Sequence, residues 1–135
     1  MKTRTSILSN LALIIVLMLS SALTGKLLAQ PSPPAGTPVI KLTTSTAGVA
    51  VCILMRAAVP NTPVWIETAP NTYTQITLDT FNLNGGDYMP TGTSLKVYGA
   101  VTYFNCSGTF ASRKSISTLN ASGNTALQEL YCEYN

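Results

Sequence analysis

The chain has 135 residues, at most one ordinary domain; 46% are hydrophobic and only 10% charged, against roughly a quarter charged in an average soluble protein. It contains no histidine, which excludes Ser-His-Asp and Cys-His catalysis and any His-ligated metal site. The formal charge of +3 resides in the first 29 residues, through Lys2, Arg4 and Lys26. Downstream, Lys41, Arg56, Lys96, Arg113 and Lys114 balance Glu67, Asp79, Asp87, Glu129 and Glu133. A body without net charge offers no basic patch for phosphates, so nucleic acid is not an expected partner.

In chain order, residues 1–29 have the three parts of a secretory signal peptide: a basic start at Lys2 and Arg4, an apolar run over 11–19, and a small-residue segment ending at Ala29. The run is too short to span a bilayer core, which takes about 20 residues. Cleavage is expected after Ala29, with Ala22 the alternative site, leaving no membrane span in the mature chain. The expected location is therefore outside the cell, secreted or on the outer surface. Residues 30–38, QPSPPAGTP, read as an extended Pro-rich spacer.

Residues 39–99 read as a β-rich N-terminal cap. Residues 39–45 alternate apolar and polar side chains, as a half-buried strand does. Residues 48–58 are almost continuously apolar, as expected of a central strand buried on both sides. Pro60 to Pro63 break the chain; residues 64–67 form a strand anchored by Trp65, Pro70-Asn71 a turn, and 73–78 a further alternating strand. Residues 82–86 read as a loop and 94–99 as a strand. The stretch from Asp79 to Asp87 lacks the D-x-[DN]-x-[DN]-G order of a calcium loop. Short strands about ten residues apart predict a small antiparallel β-sandwich, and 61 residues bury only a marginal core unless it packs on the C-terminal third of the chain.

The last third carries a spacing signal. Val101, Phe104 and Cys106 read as apolar-x-x-apolar-x-Cys; Ile116, Leu119, Ala121 and Asn124 as L-x-x-L-x-A-x-x-N; Leu127, Leu130, Cys132 and Asn135 as L-x-x-L-x-C-x-x-N. In such a unit the middle residues form a short strand, the apolar positions point into a flattened coil, and the Asn side chain bonds backbone groups where the strand bends. Stacked coils pair their strands in parallel and bury a ladder of side chains.

Residues 115–135, SISTLNASGNTALQELYCEYN, resemble the cysteine-containing leucine-rich repeats of bacterial surface proteins, the internalin-J-like and BspA-like arrays common in Bacteroidetes. Leu119, Asn124, Leu127, Leu130, Cys132 and Asn135 match that repeat, with Ile116 and Ala121 at its Leu and Val sites; residues 96–108 resemble the entry into such an array. The resemblance implies that residues 100–135 begin a leucine-rich repeat solenoid, one full coil plus one strand. It also implies a truncated array, with a complete miniature protein as the other possibility. Cys106 and Cys132 become inward ladder positions on adjacent parallel strands, as buried thiols or, alternatively, a bridge. Tyr103, Asn105, Glu129, Tyr131 and Glu133 fall on the outward, concave side where repeat proteins bind.

The function implied is non-enzymatic: adhesion or protein–protein interaction, with no cofactor and no metal, the partner being an unknown protein ligand or further coils of the same array. The alternative is a small secreted β-sandwich that binds carbohydrate through Trp65 and the tyrosines. The five carboxylates form no motif-placed pair of the kind a glycosidase needs.

Overall fold

The computed structural model describes residues 31–108 and 115–135. The leader, Gln30 of the spacer, and residues 109–114 of the junction between repeat units lie outside them. The described residues are mainly β, with nine strands and no helix: β1 (Val39–Thr44), β2 (Val51–Arg56), β3 (Thr62–Ala69), β4 (Thr72–Leu78), β5 (Asn84–Tyr88), β6 (Ser94–Tyr98), β7 (Tyr103–Asn105), β8 (Ile116–Gly123) and β9 (Glu129–Tyr131). They form two sheets, ordered β4-β3-β6-β1-β8 and β5-β2-β7-β9. All pairings are antiparallel except β7 with β9.

The alternation of apolar residues builds the interior. Ile40 and Leu42 of β1, Val64 and Ile66 of β3, and Leu95 and Val97 of β6 turn inward from the first sheet. Val51, Ile53 and Met55 of β2, with Phe104 of β7, meet them from the second. β2 is central in its sheet, but only one of its faces is sealed: Cys52, Leu54 and Arg56 are half-buried on the outside, because no third layer covers that side. The core also runs without interruption past residue 99. Val101, Phe104 and Cys106 belong to it, and Ile116, Leu119, Ala121 and Leu127 pack against it.

Two elements depart from the sequence expectation. Residues 84–88, partly expected as loop, form β5. Gly85 has φ +152, and a Cβ there would collide with the Ile53 carbonyl oxygen, so the close approach of β5 to β2 requires glycine at a position where strand preference argues against it. The second departure is at β8, which runs antiparallel to β1 in the first sheet. Leu42 faces Leu119 and Thr43 faces Thr118, but Thr44 faces Ile116. Ser117 is thus one residue extra, a bulge, and its hydroxyl donates to the Thr43 carbonyl at 3.0 Å. A regular strand would send Ile116 and Leu119, three apart, to opposite faces; the bulge lets both reach the core.

The chain passes from β7 in the second sheet to β8 in the first, and back to β9 beside β7. Phe104 faces Leu130 and Asn105 faces Tyr131, in parallel. The ladder continues on both sides, through Glu129 N–H to Thr102 O at 3.0 Å and Cys106 N–H to Tyr131 O at 2.9 Å. Asn124, at the bend after β8, is buried and donates from Nδ2 to the Gly99 carbonyl at 3.0 Å. Asn135 donates to the Cys132 carbonyl at 2.6 Å.

Candidate functional site

The outer face of the second sheet gathers side chains from β2, β7 and β9. In-register pairing aligns Arg56 with Tyr103 and Tyr103 with Glu129 in one row, and Leu54 with Asn105 and Asn105 with Tyr131 in the next. Residues paired across a ladder project to the same side. The Arg56 guanidinium lies 4.4 Å from the Tyr103 ring centroid, within cation–π range, and its Nη2 lies 3.5 Å from Glu129 Oε1. The Tyr103 and Tyr131 rings are 5.3 Å apart, tilted by 37°. Asn105 Nδ2 donates to the Tyr103 hydroxyl at 3.3 Å, and the Tyr131 hydroxyl donates to Glu129 Oε2 at 3.4 Å. The negative charge of Glu129 pushes the Tyr131 hydroxyl pKa up.

A cavity of about 250 Å³ opens beside this cluster, walled by Arg56, Thr80, Thr102, Tyr103, Gln128 and Glu129 among others. The Ala57 N–H donates to the Asp79 carbonyl at 3.0 Å, tying together the loops at this end of the sheet. Those loops expose Val59 and Phe81, the latter 86% accessible. The arrangement is a shallow aromatic platform with one cation, one carboxylate and an amide at its edge. Such a surface binds by stacking and polar contact.

Four of the five residues expected on the ligand side, Tyr103, Asn105, Glu129 and Tyr131, come together here. Glu133 lies just past β9, where its N–H donates to Ser107 Oγ at 3.0 Å and its carbonyl accepts from Gly108 N–H at 2.9 Å; its side chain is exposed. Arg56 and Leu54 escaped the sequence reading, although a period of two in β2 sets Cys52, Leu54 and Arg56 on one face. Among the ladder positions, Val101, Phe104 and Cys106 are fully buried, while Ile116, Leu119, Ala121 and Leu127 are half-buried. Leu130 is 42% accessible and Cys132 is exposed.

The outer face of the first sheet carries a second polar group. Glu67 of β3 is 8% accessible. Its Oε2 accepts from Lys96 Nζ at 2.9 Å and from the Tyr98 hydroxyl at 2.8 Å, and its Oε1 accepts from the Asn71 N–H at 3.2 Å. Burial pushes the Glu67 pKa up, but the bonds from Lys96, Tyr98 and Asn71 outweigh it and hold the carboxyl below its ordinary value. The group pins the two-residue turn at Pro70 and Asn71, where Asn71 has φ 59. A cavity of about 350 Å³ lies beside it, lined by Glu67, Lys96, Pro70 and Thr91 among others. Trp65, on the same face, is 9% accessible and its Nε1 has no hydrogen-bond partner. A ring so enclosed offers no open face for stacking on a sugar.

Among the described residues, no group of three or more His, Cys, Asp or Glu side chains is arranged to hold a metal ion, and no helix is long and apolar enough to cross a membrane. No family model matches the chain, and neither a curated protein nor a solved structure does.

Proposed function

We propose that the chain is the cap and first winding of an exported, non-enzymatic leucine-rich repeat protein of the cell surface, which binds a protein ligand through the outer face of its second sheet. The observation that carries this reading is the parallel pairing of β7 with β9 at an interval of 26 residues, made through β8 in the opposite sheet. A chain that winds in this way repeats its outward side chains side by side, and here that sets Tyr103 beside Tyr131. The unpaired outer edges of β8 and β9, with Leu130 and Cys132 uncovered, suit the stacking of further coils.

The test is solid-phase binding of the secreted protein to a panel of extracellular-matrix and bacterial surface proteins. A specific protein ligand should lose at least about tenfold in affinity in the Tyr103→Ala/Tyr131→Ala double variant, the loss of a hot-spot pair. Lys41→Ala, on the first sheet, should leave it unchanged. Absence of any protein ligand, or binding indifferent to the double variant, would sink the proposal. The Tyr103–Tyr131 pair also supports a second reading, a carbohydrate-binding module. A glycan-array signal abolished by the same double variant would favour that one.

A further inference from the structure

The core-facing side of β7 and β9 carries a second pair. The bond from Cys106 N–H to Tyr131 O, 2.9 Å, and that from Gly108 N–H to Glu133 O, 2.9 Å, extend the parallel ladder so that Cys106 stands opposite Cys132. Neighbouring strands are about 4.8 Å apart, inside the roughly 4.4–6.8 Å between Cα atoms that a disulfide spans. Cys106 Sγ lies 3.6 Å from the Tyr131 carbonyl oxygen, so the thiol is aimed at β9 next to Cys132. Cys106 is sealed in the core, whereas Cys132 is exposed and lines a cavity of about 180 Å³ with Ile116, Leu119 and Asn135 between the edges of the two sheets.

We propose that Cys106 and Cys132 are an oxidation site: a small disulfide oxidant converts the two thiols into a cross-strand bridge that locks β9 onto β7. The exposed Cys132 thiolate attacks one sulfur of the oxidant, forming a mixed disulfide and expelling one thiolate. The Cys106 thiolate then attacks the Cys132 sulfur and expels the second. Two S–H bonds are lost and one S–S bond forms; two electrons and two protons pass to the oxidant, which leaves as two thiols. Burial, with Cys132 next to it, pushes the Cys106 thiol up to about 12, so ring closure rather than the first attack limits the rate.

The bridge bears on the ligand face because the two faces share strands. β9 has three residues, all exposed, at the edge of its sheet. Fraying there separates Glu129 and Tyr131 from Tyr103 and Arg56, and a covalent tie on the inner side prevents it.

The experiment treats the reduced, purified protein with oxidised glutathione. The mass should fall by about 2 Da. Cleavage after Lys41, Arg56, Lys96, Arg113 and Lys114 puts Cys52, Cys106 and Cys132 on separate tryptic peptides. The unreduced digest should therefore join residues 97–113 to 115–135 and leave 42–56 unlinked. Amide exchange in residues 127–133 should slow at least about tenfold on oxidation. Cys132→Ser should abolish both effects and Cys52→Ser neither. A product that stops as a glutathione adduct on Cys132, a bridge that uses Cys52 or joins two molecules, or a correct bridge with unchanged exchange would each overturn the proposal.

Discussion

Phe104 and Leu130 face each other across the β7–β9 ladder and point to the same side of the sheet, yet Phe104 is 0% and Leu130 42% accessible. The same contrast holds one step on, between buried Cys106 and exposed Cys132. Register fixes which face a side chain occupies, but the opposite sheet decides whether that face is dry. Sheet one covers β7, whereas past its edge strand, β8, nothing among the described residues lies over β9. One end of the sandwich is closed and the other open, and the repeat-like residues straddle the two.

The strongest way to break this comparison is Phe104→Ala. A buried phenylalanine lost from the closed region should cost about 3–5 kcal/mol, read as a fall in the urea unfolding midpoint. A shift of a few tenths would mean that β7 contributes little to the core.

The closed region should also respond to acid through Glu67. Its folded pKa is lowered, so the stability it contributes is present above the unfolded value near 4.5 and is lost as pH falls through the folded pKa. Urea unfolding at pH 7 and near pH 3 should show that loss, and Glu67→Gln should flatten the pH dependence while costing about 2 kcal/mol at pH 7. An unchanged slope in the variant would remove Glu67 from the account.

Leu130→Ala sharpens the contrast. A fully buried ladder leucine would lose about 2–5 kcal/mol; with 42% of Leu130 accessible, the expected loss is about 1 kcal/mol. A cost in the upper range would show that something covers β9 in solution. Glu133→Ala, at an exposed position of the open region, should change stability by less than about 0.5 kcal/mol.

Much of the sandwich was legible in the sequence because a half-buried strand writes its geometry as a period of two, as in β1 and β4. β5 was not, since Gly85 and Gly86 carry no side chains to alternate; only the close approach of Ile53 explains them. The ligand face was read in part. Tyr103, Asn105, Glu129 and Tyr131 share a spacing with the repeat, whereas Arg56 lies 47 residues before Tyr103 and is brought there by pairing alone. The Glu67 group was missed for the same reason: Lys96 and Tyr98 sit in a strand far along the chain, and no local pattern links them to Asn71.

The amino-acid order alone determined a β-rich body of zero net charge and the interval of 26 residues that the β7–β9 ladder realises, because both rest on local periodicity. Which sheet each strand joins was decided only by tertiary packing, as was the bulge at Ser117 that turns two leucine-type positions inward together. So were the burial of Trp65 and the exposure of Leu130. Burial depends on what lies opposite, and a residue's own neighbours in the chain do not specify that.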